Sequence, residues 1–374
     1  MKILLTGGGT AGHINPALSV ASYLKETGSS DEFLYVGSKD KMEAQIVPKT
    51  GIPFYGITIQ GVSRKKSLDG IKENVKTLKL LRAAKKELRK VLEEFQPDVV
   101  FGTGGYVSVP VMLEAQKMGI PTIVHESNSL PGVAVKKIAK NATVVMVPDK
   151  KAAARLTTSG KTVEAGIPIS PTFLTTKRED ARKKLALSDQ HVMILSFGGS
   201  LGALTINEVM AYAMGKTLLH PNVRHIHATG SFYVEDFPMM LEEAGVTEEI
   251  ARGKLHVSEY IDNMPECLAA ADLVIARAGA TTVNEISGVG RASILIPSPN
   301  VAENHQYYNA MKLGDANAAV VMEEKALTPE KFLSELESLI PDEKRRDEMG
   351  KAAKSVFVED ANARIVEEIR LLQK

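Results

Sequence analysis

Three glycine-rich turns, each following directly on a short apolar run, constrain this chain more than any other feature. Met1–Thr6 runs into Gly7-Gly8-Gly9-Thr10-Ala11-Gly12-His13. Val99–Phe101 runs into Gly102-Thr103-Gly104-Gly105-Tyr106, and Val192–Phe197 into Gly198-Gly199-Ser200-Leu201-Gly202-Ala203. Glycine between a strand and a helix lets the backbone turn sharply and lets an anion approach the amides that open the helix. The first and third turns begin at residues 7 and 198. That placement predicts two similar nucleotide-binding-type halves.

The rest of the pattern agrees with two halves. Apolar runs of strand length alternate with segments of helical period, which predicts parallel α/β architecture. Strands are expected near 2–6, 32–37, 54–59, 98–102, 121–125, 143–147 and 161–165. A second set is expected near 191–197, 223–228, 254–257, 272–276, 292–296 and 318–322. Between the sets, Gly166-Ile167-Pro168-Ile169-Ser170-Pro171 has two prolines that forbid a continuous helix, so the domains are expected to divide there, as 1–165 and 166–357. The segment from Ala361 to Leu372 reads as an amphipathic helix whose packing partner the sequence does not reveal.

Composition excludes several classes. A net charge of +1 gives the chain no overall polyanion-binding character, and nucleic acid is not expected as a partner. The single cysteine, Cys267, excludes an internal disulfide and fits a reducing compartment. No signal peptide is recognisable at the N-terminus, and no apolar run approaches the ~20 residues of a transmembrane helix. A cytosolic protein is expected.

Gly7 to Gly12 satisfies the dinucleotide fingerprint G-x-G-x-x-G, but the second strand ends at Tyr35-Val36-Gly37-Ser38 without the carboxylate that would hold a ribose, although Asp40 is close. A dehydrogenase is therefore disfavoured. Gly198-Gly199-Ser200-Leu201-Gly202 spells the nucleophile elbow G-x-S-x-G, with His305 as a nominal partner. A phosphate cradle accounts for all three turns, whereas an elbow accounts for one. Arg277 to Glu285 (RAGATTVNE) follows another strand, with small residues, hydroxyls and helix-opening amides suited to an anion. Glu285 there could accept from both hydroxyls of a ribose, or could simply complement the helix dipole. His13, at a helix N-terminus, is disfavoured as imidazolium and could accept a proton. No Asp-x-Asp pair or His/Cys cluster suggests a metal, and no cofactor is expected.

Charge is uneven. Between Ser63 and Val91 eleven Lys/Arg face three Asp/Glu, a local excess of eight, with Ile71, Val75, Leu78, Leu81, Leu88 and Val91 at helical spacing. The segment reads either as a surface helix with a solvated basic face or as a patch for an anionic membrane, each basic residue near the surface contributing about 1 kcal/mol.

Taken together these motifs resemble the MurG glycosyltransferase family. The resemblance runs through GGGTAGHINP (7–16), VGSKDKMEAQIVP (36–48), PDVVFGTGGYVSVP (97–110), GIPTIVHESNSLPG (119–132), FGGSLGALTIN (197–207), YIDNMPE (260–266), ARAGATTVNEI (276–286) and NHQYYNA (304–310). It implies a GT-B fold, two Rossmann-like doubly wound domains facing across a cleft, with the last helix, 358–374, crossing back to the first domain. It implies inverting transfer of GlcNAc from UDP-GlcNAc to the C4 hydroxyl of undecaprenyl-diphospho-MurNAc-pentapeptide, at the cytoplasmic face of the bacterial membrane, in peptidoglycan synthesis. By matching position, Thr10, Ala11, Gly12 and Asn128 are expected at the donor sugar. Ser200, Ala280, Thr281, Thr282, Val283, Asn284 and Glu285 are expected at the diphosphate and ribose, Ile261 at uracil and Gln306 at the GlcNAc hydroxyls. Gly104, Gly105 and Tyr106 are expected at the acceptor diphosphate, His13 as base, and 63–91 on the membrane.

One departure stands out. The family often carries Gly-Asn-Pro with a nearby arginine at the domain junction, where this chain reads Gly166-Ile167-Pro168-Ile169-Ser170. No arginine contact to the nucleotide is carried over from this linker. For the basic segment, neutralising Lys65, Lys66, Lys72 and Lys76 together is expected to lower binding to anionic vesicles severalfold while sparing turnover on a soluble short-chain acceptor. Unchanged vesicle binding by that variant removes the membrane role.

Overall fold

Residues 1–59, 84–301 and 304–373 are described in a computed structural model. The chain forms two compact units, Met1–Pro171 with Asp360–Lys374, and Thr172–Glu359.

The first unit is built on seven parallel strands, β1 (Lys2–Thr6), β2 (Glu32–Ser38), β3 (Phe54–Ile57), β4 (Val99–Gly102), β5 (Thr122–His125), β6 (Val144–Val147) and β7 (Lys161–Glu164), in the order β3-β2-β1-β4-β5-β6-β7. The second has β8 (Val192–Phe197), β9 (Val223–Ala228), β10 (Leu255–Ser258), β11 (Leu273–Ala276), β12 (Ala292–Leu295) and β13 (Ala319–Val321), in the order β10-β9-β8-β11-β12-β13. Each is a doubly wound Rossmann-like sheet whose order reverses at its first strand, and each expected strand lies where the sequence put it. Burial explains why the strands were legible. β4, β5 and β6 (VVFG, TIVH, VVMV) are buried at every position, as in a sheet covered on both faces, so they read as continuous apolar runs. Along β1, Leu4 joins one core cluster and Ile3 and Leu5 the other. The edge strand β7 (KTVE) is mostly exposed.

The units divide after Pro171, a few residues beyond the expected position, because the junction is fastened to the first unit. Ile167 and Ile169 are 7% and 2% exposed, His125 Nε2 donates to the Gly166 carbonyl at 2.8 Å, and Asn362 Nδ2 donates to the Ile169 carbonyl at 2.8 Å. Burial holds His125 at a pKa of about 4, so it is neutral at pH 7.

The C-terminal helix Ala361–Leu371 finds its partner in the helix Ala11–Glu26. Its Ile365 and Ile369 are fully buried beside Ile3, Leu5 and Ile14, and truncating either to Ala costs roughly 2–5 kcal/mol. Arg370 closes the joint, with both guanidinium nitrogens donating to the Asp31 carboxylate, at 2.8 and 2.6 Å. Of the basic segment 63–91, residues 63–83 lie outside the described ones. Residues 84–91 begin a helix (84–95) whose Leu88, Val91 and Leu92 are buried, while Lys85, Lys86, Arg89 and Lys90 are exposed. Arg89 pairs with Glu93 and Lys90 with Glu94. Among the described residues no helix is long and apolar enough to cross a membrane.

Burial alone would raise the Asp31 pKa, but hydrogen bonds from Arg370, the chain's amino group and Ser29 outweigh it and hold the carboxyl at about 2. A folded pKa below the unfolded value means stability that is present above about 3.8 and lost as pH falls through 2. Asp31→Asn is therefore expected to lower the melting temperature by several degrees at pH 7, with the gap to the unaltered protein narrowing below pH 4. A gap of equal size at pH 7 and pH 3 contradicts the assignment.

Candidate functional site

In doubly wound sheets ligands bind beyond the carboxyl ends of the strands where the order reverses. In the first unit that position lies between β1 and β4, where two of the glycine turns meet. Their backbones lie in contact: a Cβ on Gly105 would fall 2.2 Å from the Gly8 carbonyl oxygen, and one on Gly104 would fall 2.9 Å from the His13 ring. Gly104 and Gly105 also have φ of +95° and +79°, which disfavours any side chain. Thr103 Oγ1 donates to the His13 carbonyl, tying the second turn to the helix that the first one opens. From beneath, the fully buried Tyr35 donates to the Gly7 carbonyl at 2.9 Å.

The structure thus brings Gly8, Gly9 and His13 together with Gly104, Gly105 and Tyr106. Thr10 is extended at the N-cap of the helix Ala11–Glu26 but does not cap it. Its hydroxyl instead meets His13 Nδ1 at 3.0 Å. Asn128 follows the next strand, β5. Its backbone N–H and Nδ2 both donate at 2.9 Å to Glu126, a buried carboxylate that also accepts from Gly132 N. Burial raises the Glu126 pKa against those hydrogen bonds. Glu126 orients the Asn128 amide, a role the sequence did not signal.

The second unit repeats the device between β8 and β9. A Cβ on Gly230 would fall 2.0 Å from Gly202 N, and one on Gly202 would fall 2.2 Å from the Thr229 carbonyl. A buried chain supports this contact: Ser196 Oγ donates to His227 Nδ1, His227 Nε2 donates to Asn207 Oδ1, and Asn207 Nδ2 donates to the Thr229 carbonyl. Burial pushes His227 to a pKa of about 3. This histidine serves Ser196, and no histidine among the described residues hydrogen-bonds Ser200, so the elbow reading fails. Of the two acids that follow β2, Asp40 is exposed and Glu43 is turned under the first glycine turn, so no carboxylate ends the strand itself as the dinucleotide reading asks.

The helix Ala280–Val289 opens after β11 with Gly279 at its N-cap and no side-chain cap. Leu204–Thr217 and Ala11–Glu26 are likewise uncapped by side chains, as is the C-terminal helix Ala361–Leu371, while Thr328 and Asp342 cap theirs. Bare N-terminal amides carry about half a positive charge and suit an anion. Of the amides at 280–285, only the first three face outward by helix geometry, because Val283 N already donates to the Gly279 carbonyl at 2.9 Å and starts the ladder. The side chains of Thr281, Val283 and Asn284 are buried, at 7%, 3% and 2% exposed, close to the 9% of Glu285. Arg277 donates to the Ile296 carbonyl and pairs with Glu324, and Asn309 Nδ2 holds the Ala278 carbonyl. Gln306 accepts from Ser298 N through its carbonyl oxygen, which leaves its NH2 to present. Ile261 is buried at the end of a cavity of about 600 Å³ that runs along β10 past Tyr260 and Cys267. Burial and Glu266 raise the Cys267 thiol to about 11, so it is no nucleophile.

Residues 3–147 match the model of the glycosyltransferase family 28 N-terminal domain, and residues 193–365 that of its C-terminal domain. A relative from Lactobacillus acidophilus, named UDP-N-acetylglucosamine--N-acetylmuramyl-(pentapeptide) pyrophosphoryl-undecaprenol N-acetylglucosamine transferase, is 40% identical over 370 residues, 98% of each chain. One of the same name from Acetivibrio thermocellus is 38% identical over 374 residues, 100% of this chain and 99% of its own. The chain belongs to the MurG family of glycosyltransferases. The crystal structure of Acinetobacter baumannii MurG agrees, with a TM-score of 0.70 at 27% identity over 99% of both chains. The fold class is therefore GT-B.

In this MurG-type chain Glu285 is the most perturbed acid of the second unit. It is 9% exposed, and burial raises its pKa from 4.5 to about 8. A folded pKa above the unfolded one means stability that is full below 4.5 and lost as pH rises through 8. Glu285→Gln is expected to melt several degrees higher than the unaltered protein above pH 8 and level with it near pH 4. It is also expected to weaken donor binding above pH 8, where the carboxylate is ionised, if that carboxylate takes the ribose hydroxyls. Unchanged donor affinity would leave Glu285 a packing residue.

Proposed function

We propose that this chain transfers GlcNAc from UDP-GlcNAc to the C4 hydroxyl of MurNAc in undecaprenyl-diphospho-MurNAc-pentapeptide, with inversion, forming lipid II for peptidoglycan. The observation that carries the reading is the near full-length similarity to relatives of that name, together with glycine-turn sites in both units.

In this reading the second unit holds the donor. The amides of Ala280, Thr281 and Thr282 and the hydroxyl of Ser200 receive the diphosphate, and Glu285 the ribose. Ile261 borders the base, and the Gln306 NH2 meets a sugar hydroxyl. Helix N-termini oppose the charge that develops on departing UDP, at fixed positions that cost no reorganisation. The first unit holds the acceptor diphosphate between the Gly7–Gly12 and Gly104–Tyr106 turns, and Thr10, Ala11, Gly12 and Asn128 serve the transferred sugar.

His13 is the base. For Nε2 to take the acceptor proton, Nδ1 must carry the hydrogen, and Thr10 Oγ1 at 3.0 Å is positioned to accept it. The Thr10 hydroxyl is compatible with that tautomer. The exposed Lys85, Lys86, Arg89 and Lys90 extend the basic stretch 63–91, which in this reading docks on the anionic inner membrane surface.

The test incubates purified protein with UDP-GlcNAc and a short-chain lipid I analogue in EDTA and follows UDP release and disaccharide. Acceptor-dependent β-1,4 product is expected. His13→Ala is expected to lower kcat roughly 10²–10⁴-fold with donor binding intact. UDP-GlcNAc binding without transfer would move the acceptor elsewhere, and 2-epimerised UDP-sugar would make the chain an epimerase.

A further inference from the structure

One buried acid takes no part in that chemistry. Glu43, fully buried just after β2, sends its carboxylate under the first glycine turn, where Oε2 accepts from Gly9 N at 3.1 Å and Oε1 from Ser38 N at 2.9 Å. Two glycines make room for it. A Cβ on Gly8 would lie 2.4 Å from Glu43 Oε1, and one on Gly37 would lie 2.6 Å from its Cγ. Above the carboxylate, the same Gly8 presses its carbonyl on Gly105, and a Cβ on Gly9 would lie 3.4 Å from the Tyr106 ring. The contacts thus run without a gap from Glu43 through Gly8 and Gly9 to the second glycine turn, where the Glu43 charge also helps raise the Tyr106 pKa.

We propose that Glu43 is the positioning residue of the acceptor cradle: by holding the Gly9 and Ser38 amides together, it sets how the Gly7–Gly12 turn seats against Gly104–Tyr106. The proposal rests on the reading of those turns as the acceptor-diphosphate site. It also decides which amides are offered to the anion. The Gly9 amide is consumed by Glu43, so the donors left are those that open the helix at Ala11 and those of the second turn. Only a carboxylate suits the place, since it offers an acceptor oxygen to each amide, whereas a carboxamide offers one and points its own hydrogens at the other.

The sign of the effect separates positioning from simple charge. A carboxylate near an anion site repels the anion, so if Coulomb interaction ruled, Glu43→Gln would tighten the acceptor. Positioning requires the opposite. For Glu43→Gln we expect the acceptor KM to rise roughly tenfold or more, with UDP affinity, read in the other unit, within twofold of the unaltered protein. Amide hydrogen exchange should speed up in both Gly7–Gly12 and Gly104–Tyr106. An unchanged or lowered acceptor KM, or faster exchange confined to 37–43, overturns the proposal. Glu43→Asp, which keeps both oxygens one methylene shorter, is expected to recover part of the KM, and it takes the place of the Gln variant if that one does not fold. Should the unaltered protein not use the lipid-linked acceptor at all, the functional reading fails by itself, and the exchange measurement still decides the role of Glu43.

Discussion

Backbone meeting backbone at paired glycine turns is the constraint on which both units depend. Gly105 lies against the Gly8 carbonyl in the first, and Gly230 against Gly202 N in the second, at separations where no side-chain carbon fits. These contacts let two loops close over the end of a sheet without side chains between them. The helices Ala11–Glu26 and Leu204–Thr217, which open at these turns, have no side-chain cap on their first amides. Arg277, two residues before Gly279, is occupied with Glu324 and the Ile296 carbonyl.

The turns are held from below by hydrogen-bonding side chains. In the first unit these are Glu43, Tyr35 and Thr103, and in the second the chain Ser196–His227–Asn207–Thr229. The two sets differ in chemistry and act alike. His227, neutral at any physiological pH, transmits hydrogen bonds in one direction from Ser196 to the Thr229 loop. Loops fixed in this way have little freedom to rearrange around a ligand, so the amides are already aimed before anything binds.

Much of this was legible in the residues. The strands were plain because nearly every position in β4, β5, β6, β11 and β12 is buried, which leaves uninterrupted β-branched or aliphatic runs. The glycine turns were plain because glycine has few other reasons to cluster after a strand. The supports were not. Glu43 sits in a charged, polar stretch whose letters resemble a surface loop, and nothing local indicates that its carboxylate is buried 34 residues from the amide it binds. Likewise the amides at 280–285 looked equivalent in sequence, and only the helix ladder beginning at Val283 N separates donors from bonded members. The junction was placed early for a related reason: its two prolines announce a break, while Ile167 and Ile169 are core residues of the first unit.

The joint between Asp31 and Arg370 spans 339 residues of chain. During synthesis the first unit therefore has all its strands long before it has its last helix, and the whole second unit emerges in between. Until Ile365 and Ile369 arrive, the core cluster that joins Ile3 and Leu5 of β1 to Ile14 of the helix Ala11–Glu26 lacks two of its members. The order of completion is then the reverse of the order of translation: the unit made first is the one finished last. A ribosome that stalls or a protease that cuts before the last helix would cost the first unit its closure while leaving the second whole.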